Sequence, residues 1–480
     1  MHKFAKWTLA LLLLPAAAMA KDIPPTTASA VDSIVSRYAE LDMFSGTVVL
    51  AKQGEVVFSA AYGEANRDYH IPNGMNTRFN IGSIGKTLTS VAIMQLVESG
   101  KLGLDDKLAK YLPDFPFPEK DTISIQQLLN HSSGLGDYME LDAYKQQMAD
   151  LHTIGDILPL IYQQPPLSPP GADFNYSNSG MVLLGAIIEK VSGLSYPDYL
   201  RRYVFEPADM HASELAQEDQ ILAERAIGYI ASPKGGYSSN VRSIMPASAD
   251  GGLRTTALDL LKFDQALTHN KLLRQDSIDK MLTPVGPVPF YASGWFVKMV
   301  GDKKVVGHSG GAPGVSSEYR RYADDGYTLV ILSNYDNVAS PLAEDLEKAL
   351  FNIPFQLPTK VDAEVNRAAN FEQNGEIDAA LTILDRLGSD ASPHVDSLYR
   401  AARLRIVEKR DVEKALPALN SYIALAGADA RPSIAAAWWR KGNAYEQLGD
   451  KNQARSCYQQ SLSLEPENTD AREALTRMGN

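Results

Sequence analysis

Phe79-Asn80-Ile81-Gly82-Ser83-Ile84-Gly85-Lys86 is the stretch on which the reading of this chain turns. Apolar residues recur at helical spacing over residues 83–99 and Gly100 follows as a stop, which predicts a helix. Residues three apart share a helix face, so Ser83 and Lys86 place an amine beside a hydroxyl. A lysine at its ordinary pKa of about 10.4 is a poor base at neutral pH. Buried among polar groups it can lose its proton and activate a serine as nucleophile. Taken alone the pair has plainer readings: Ser83 as a helix N-cap, Lys86 as a solvated helix lysine. Gly85-Lys86-Thr87 has the form of the end of a phosphate-binding P-loop, but the glycine needed five residues upstream is Asn80, so that reading fails.

Two later triplets give the pair its context: Tyr176-Ser177-Asn178 and His308-Ser309-Gly310. A Tyr-x-Asn triplet lets two side chains point the same way, although residues 175–180 (NYSNSG) are also good turn composition. His308-Ser309-Gly310 falls in a strand-like stretch, and a strand glycine permits close approach of backbone or substrate. Flanking segments agree in order and separation. They are Leu128-Leu129-Asn130-His131-Ser132-Ser133-Gly134-Leu135, and Gly251-Gly252-Leu253 followed by Asp259-Leu260-Leu261-Lys262-Phe263.

Together these motifs, over about residues 30–350, resemble the serine β-lactamase and penicillin-binding protein family, in the branch that holds class C β-lactamases, DD-peptidases, D-aminopeptidases and esterases. The resemblance implies Ser83 as nucleophile, Lys86 as base or proton relay, and Tyr176 as proton shuttle to the leaving group. It implies that Asn178 bonds the substrate amide and helps hold Lys86. The amides of Ser83 and Gly311 would form the oxyanion hole, with His308 and Gly310 on the substrate-binding strand. His131 would support the site from behind. Where many class C enzymes carry Lys-Thr-Gly, this chain has His308, mostly neutral at pH 7 at an ordinary pKa of about 6.5. That favours peptidase- or esterase-like chemistry over efficient β-lactam hydrolysis. Arg320 and Arg321 could bind a carboxylate or be solvated strand residues. The expected activity is a serine hydrolase working through an acyl-enzyme on D-amino-acid peptides or small esters. The alternatives are a β-lactamase, and a non-enzymatic interaction protein working through its C-terminal region.

The totals bound the rest. A chain of 480 residues allows two or three domains. A net charge of −12 implies no nucleic-acid partner. The single Cys457 rules out an internal disulfide and any Cys-based metal site, and the eight histidines show no ligand spacing, so no metal or cofactor is expected. Residues 1–20 have a basic start, a short apolar run and Ala18-Met19-Ala20, the pattern of a cleaved signal peptide. Cleavage leaves no membrane anchor, and the expected location is secreted, periplasmic in a Gram-negative cell.

Residues 21–30 read as a disordered lead, followed by a helix near 31–41. Strand signals lie at 46–52, 55–61, 293–299, 303–307, 316–322 and 327–333, with a helical middle between them. This predicts an α/β (α+β) domain over 21–355: one antiparallel sheet built from both ends of the segment, flanked by helices, with a helical subdomain. The fold implied by the resemblance is β-lactamase/transpeptidase-like. After residues 354–358 (PFQLP) the composition shifts, and a period near 34 residues predicts an all-α tetratricopeptide-repeat domain over 359–480. The clearest repeat runs over 435–468, with Trp438, Gly442, Tyr445, Gly449, Ala454, Tyr458 and Pro466; two degenerate copies precede it near 361–387 and 396–422. The expected partners are a small-molecule or peptide substrate at the site and a protein or peptide at the repeats.

Overall fold

The computed structural model describes residues 25–217, 220–241, 246–390 and 392–479. The signal-peptide segment lies outside the described residues. The first helix, α1 (Pro25–Glu40), begins inside the stretch read as a disordered lead. Proline suits the first helical turn, where its missing N–H costs nothing, and Val31, Ile34, Val35 and Tyr38 form a buried stripe at helical spacing.

The sheet strands are β1 (Gly46–Lys52), β2 (Glu55–Tyr62), β3 (Phe296–Val300), β4 (Lys303–Ala312), β5 (Val315–Tyr322) and β6 (Tyr327–Ser333). They form one six-stranded antiparallel sheet in the order β2-β1-β6-β5-β4-β3. The two ends of the segment therefore meet at β1 and β6, whose register pairs Gly46 with Ser333 and Lys52 with Tyr327. Every residue of β5 is buried, because a central strand with both faces covered shows no alternation.

The helical middle contributes α2 (Gly85–Glu98), α3 (Asn178–Ser192) and α4 (Ala257–Thr268); α5 (Ala339–Leu350) follows the sheet. Helix α4 packs on β1 and β6, whereas α5 packs on α1, β5 and β6. The main core joins Val49, Val330 and Leu332 of the sheet to Leu88, Val91, Leu128, Leu183, Leu260 and Phe263. Among the described residues no helix is long and apolar enough to cross a membrane.

The chain divides into two compact units. One runs up to Tyr229 and resumes over Ser239–Leu357; the other joins Ile230–Ser238 to the chain from Pro358 onward. The second unit is built of helix pairs: α6 (Lys360–Gln373) with α7 (Ile377–Ser389), α8 (Val395–Val407) with α9 (Ala415–Leu425), and α10 (Ile434–Gln447) with α11 (Lys451–Leu464), followed by α12 (Thr469–Arg477). A Cβ at Gly442 would lie 2.4 Å from Tyr458, which fixes how closely α10 and α11 approach. Tyr458 is fully buried and clusters with Ala454 and Ala474, against which Trp439 and Tyr445 pack. Trp438, one position earlier than Trp439, is turned by about 100° around the helix, and Lys441 Nζ sits 4.5 Å from its ring centroid. Composition gave no sign of the inserted segment 230–238, whose Ala231 packs with Phe371 and Ala380 and whose Ser232 carbonyl accepts from Arg367 at 3.0 Å.

Candidate active site

Ser83 does not cap the helix. It lies inside a single 3-10 turn (Gly82–Ile84) that feeds α2, and the N-cap of α2 is Ile84, without a side-chain cap. The turn is held from three sides. Asn80 Oδ1 accepts from Gly82 N–H at 2.8 Å, Ile81 N–H donates to the Leu253 carbonyl at 3.0 Å, and the Ile81 carbonyl accepts from Ser317 Oγ at 2.8 Å. Gly82 has φ +51°, and a Cβ there would come within 2.9 Å of the Gly311 nitrogen. The same close approach brings the backbone of Gly310-Gly311 in β4 against the residue before Ser83.

Lys86 is fully buried, not solvated. Its Nζ donates to Ser83 Oγ at 2.9 Å and to the Asp250 carbonyl at 2.5 Å. It also lies 4.9 Å from the centroid of the Tyr176 ring. Asp250 immediately precedes the Gly251-Gly252 pair, and the absence of a side chain at Gly251 lets this loop close on Gly82 and Gly85.

Asp250 is a member of the site that motif reading missed. Burial pushes its carboxyl up to about 6, against the pull of the Lys86 charge and of the Tyr138 hydroxyl, which donates to Oδ2 at 3.0 Å. Its Oδ1 is buried without a hydrogen-bond partner. The only hint in sequence was its place beside the two glycines.

Tyr176 is half-buried at the end of a loop, whereas Asn178 is the first residue of α3. Ser177 between them is the N-cap: its Oγ accepts from Gly180 N–H at 3.1 Å and donates to the Gly136 carbonyl at 2.8 Å. Asn178 Nδ2 donates to Asp137 Oδ2 at 2.6 Å. Lys86 and Asn178, expected to be partners, share no hydrogen bond: the second bond of Lys86 goes to the Asp250 carbonyl, and Asp137 holds the Asn178 amide.

The His308 side chain, expected to help bind substrate, is turned into the protein. His308 lies in β4 and is buried. Its Nδ1 is 2.6 Å from the Ser309 carbonyl and its Nε2 is 2.7 Å from the Tyr291 hydroxyl, so protein atoms occupy both nitrogens. Burial first, and the Lys86 charge second, lower its pKa to about 3 despite the Ser309 carbonyl bond, and the ring is neutral. Gly310 meets backbone before it could meet substrate, because a Cβ there would fall on the Ile81 carbonyl oxygen at 1.9 Å. Gly311 is open on its Cβ side and exposed.

His131 is buried with φ +57°, and its ring packs on Tyr176 at 4.4 Å between centroids. Its pKa is lowered by burial first and by the Lys86 charge second. Arg320 and Arg321 are neither solvated nor free for a carboxylate. Arg320 pairs with Glu318 at 2.9 Å and Glu347 at 2.8 Å, and Arg321 pairs with Asp264 and donates to Thr268. The rim of the site thus holds the half-buried Ser83, Tyr176 and Asn178 and the exposed Gly311, with Lys86, Asp250, His308 and His131 behind it. Backbone N–H groups and a buried amine around a serine are suited to acyl transfer.

Known proteins share this fold. Residues 31–351 match the family model described as Beta-lactamase, and residues 435–468 match the Tetratricopeptide repeat model. Penicillin-binding protein 4* of Bacillus subtilis (strain 168) is 31% identical over 349 residues, which cover 67% of this chain and 75% of that protein. The crystal structure of a penicillin binding protein from Bacillus halodurans is similar with a TM-score of 0.60 and 34% identity, over 67% of this chain and 99% of that one. A D-stereospecific amidohydrolase from Streptomyces sp. is similar with a TM-score of 0.57 and 27% identity, over 68% and 98%.

Proposed function

The chain belongs to the β-lactamase family, and on that premise we propose that it is a secreted serine hydrolase that cleaves amides or esters through an acyl-enzyme. The observation that carries the reading is the fully buried Lys86 amine 2.9 Å from Ser83 Oγ, at a turn packed against Gly311. Ser83 Oγ attacks the carbonyl carbon while its proton passes to the Lys86–Tyr176 pair. The N–H groups of Ser83 and Gly311 receive the oxyanion. The pair then returns the proton to the departing amine or alcohol. Water repeats the sequence on the acyl-enzyme and releases the acid.

The buried His308 ring is neutral with both nitrogens engaged, and Arg320 and Arg321 are spent in buried pairs, so none of the three offers a cation to a substrate carboxylate. This favours D-aminoacyl amides, D-peptides or small esters over β-lactams, whose carboxylate gains most from a cation. The similarity to a D-stereospecific amidohydrolase supports the same choice. The helical pairs after Pro358 supply a surface for a protein or peptide partner, and the signal-like residues 1–20 support export.

Ser83→Ala tests the mechanism. It should abolish turnover and labelling by a fluorophosphonate while the thermal melt stays that of the wild type; near-wild-type turnover would end the proposal. A panel of D-aminoacyl p-nitroanilides, p-nitrophenyl butyrate and nitrocefin tests the substrate class. Nitrocefin should be the slowest of the three, and if it is the fastest, the β-lactamase reading replaces this one.

A further inference from the structure

Tyr291 took no part in the motif reading, yet it touches both halves of the site. Its hydroxyl lies 2.7 Å from His308 Nε2 and 3.1 Å from His131 Nε2. The far nitrogens of the two imidazoles meet backbone groups with fixed roles. The Ser309 carbonyl, 2.6 Å from His308 Nδ1, can only accept; the Ser177 N–H, 3.2 Å from His131 Nδ1, can only donate. One arrangement of protons satisfies all four contacts when both rings are neutral. Ser177 N–H donates to His131 Nδ1, His131 Nε2–H donates to the Tyr291 oxygen, Tyr291 O–H donates to His308 Nε2, and His308 Nδ1–H donates to the Ser309 carbonyl. The two histidines are thus held in opposite tautomers, and the hydroxyl is the one group in the line that both donates and accepts.

The ends of this line matter. Ser177 follows the proton shuttle Tyr176, and Ser309 opens the Ser309-Gly310-Gly311 run of the oxyanion strand. The rings add a second hold, since His131 lies 4.4 Å from Tyr176 and 4.8 Å from Tyr291 between centroids. Among the described residues, the other charged or titratable groups facing both imidazoles are Lys86 and Tyr176, whose ring centroid lies 4.4 Å from that of His131 and 6.5 Å from that of His308. We infer that Tyr291 is a positioning residue, which ties the Tyr176 loop to the oxyanion strand by bridging two neutral histidines of opposite tautomer. This rests on the hydrolase reading above. It acts on the reaction only through the placement of Tyr176 and Gly311, since its buried hydroxyl is engaged by both imidazoles.

The test uses the full chain labelled with ¹⁵N-histidine. In the wild type at pH 7, long-range ¹H–¹⁵N spectra should show His308 protonated at Nδ1 and His131 at Nε2. Tyr291→Phe keeps the ring and removes the bridge. His308 should then lose its hydrogen-bond-shifted Nε2 signal, and kcat for p-nitrophenyl butyrate should fall by about 10- to 100-fold, the scale of a misplacement near 1 Å, with KM changed less than about threefold. Wild-type kcat in the folded variant overturns the inference, as does a lowered melting temperature with kcat intact, which would mark a structural residue only. If the variant does not fold, the wild-type spectrum decides: the same tautomer at both histidines, or a protonated His308, overturns it. Failure of the hydrolase reading is seen separately, as activity surviving Ser83→Ala.

Discussion

Replacing Asp250 by asparagine should make the protein more stable at alkaline pH, although it removes a carboxylate beside a lysine. Burial raises the folded-state pKa of this group from 3.8 to about 6. At about 1.4 kcal/mol per unit, the shift of about 2 units corresponds to a cost on the order of 3 kcal/mol. The sign follows from linkage. Above pH 6 the carboxyl is ionised in both states, and the folded state carries the whole cost. Between about 6 and 4 the folded protein takes up a proton that the unfolded chain does not, so stability rises as pH falls. Below about 4 both states are protonated and the cost is gone.

Asparagine is neutral throughout, and its oxygen can still accept from the Tyr138 hydroxyl. The backbone carbonyl that holds Lys86 is unchanged. Asp250→Asn should therefore raise the calorimetric melting temperature of the hydrolase unit at pH 8 by on the order of 5 °C, with little change at pH 4. The stability difference between pH 4 and pH 8 should shrink accordingly. A variant less stable than wild type at pH 8 would show that the Lys86 charge, the second cause acting on this carboxyl, outweighs burial, and the reasoning would be wrong.

Other expectations follow from the same contacts. Gly82→Ala adds a Cβ at φ +51°, 2.9 Å from the Gly311 nitrogen; left-handed strain and overpacking together should cost about 2–5 kcal/mol. Because the strand that yields carries the Gly311 N–H proposed to receive the oxyanion, kcat for p-nitrophenyl butyrate should drop by about 100-fold or more, and a folded variant with wild-type kcat would refute the close approach. Tyr458→Ala empties a fully buried site that also bonds Asn443 and Glu446, and should cost the repeat unit about 3–5 kcal/mol. Ester hydrolysis at 25 °C should be unchanged, and its loss would mean that the two units do not fold independently.

The architecture was largely legible in the sequence, because it is set by short-range patterns. Gly46–Lys52 and Tyr327–Ser333 are β-branched runs bounded by turns, and they became strands at those bounds. The lead before residue 31 was misread because Pro and Ala suggest a loop by composition, while the buried stripe from Val31 to Tyr38 stabilises a helix that proline can begin. Segment 230–238 could not be assigned to the second unit, since its membership depends on contacts with residues more than a hundred positions away.

At the site the division is sharper. Ser83 and Lys86 were readable because their proximity is a property of three residues of backbone. What the tertiary structure decided is the environment that gives each polar group its task. It placed the Asp250 carbonyl on Lys86, gave Asn178 to Asp137, closed Arg320 and Arg321 into buried pairs, and set Tyr291 between two histidines. Residue identity fixes what a side chain can donate or accept. Burial and long-range partners fix its charge and its orientation, and those exist only once distant parts of the chain have packed together.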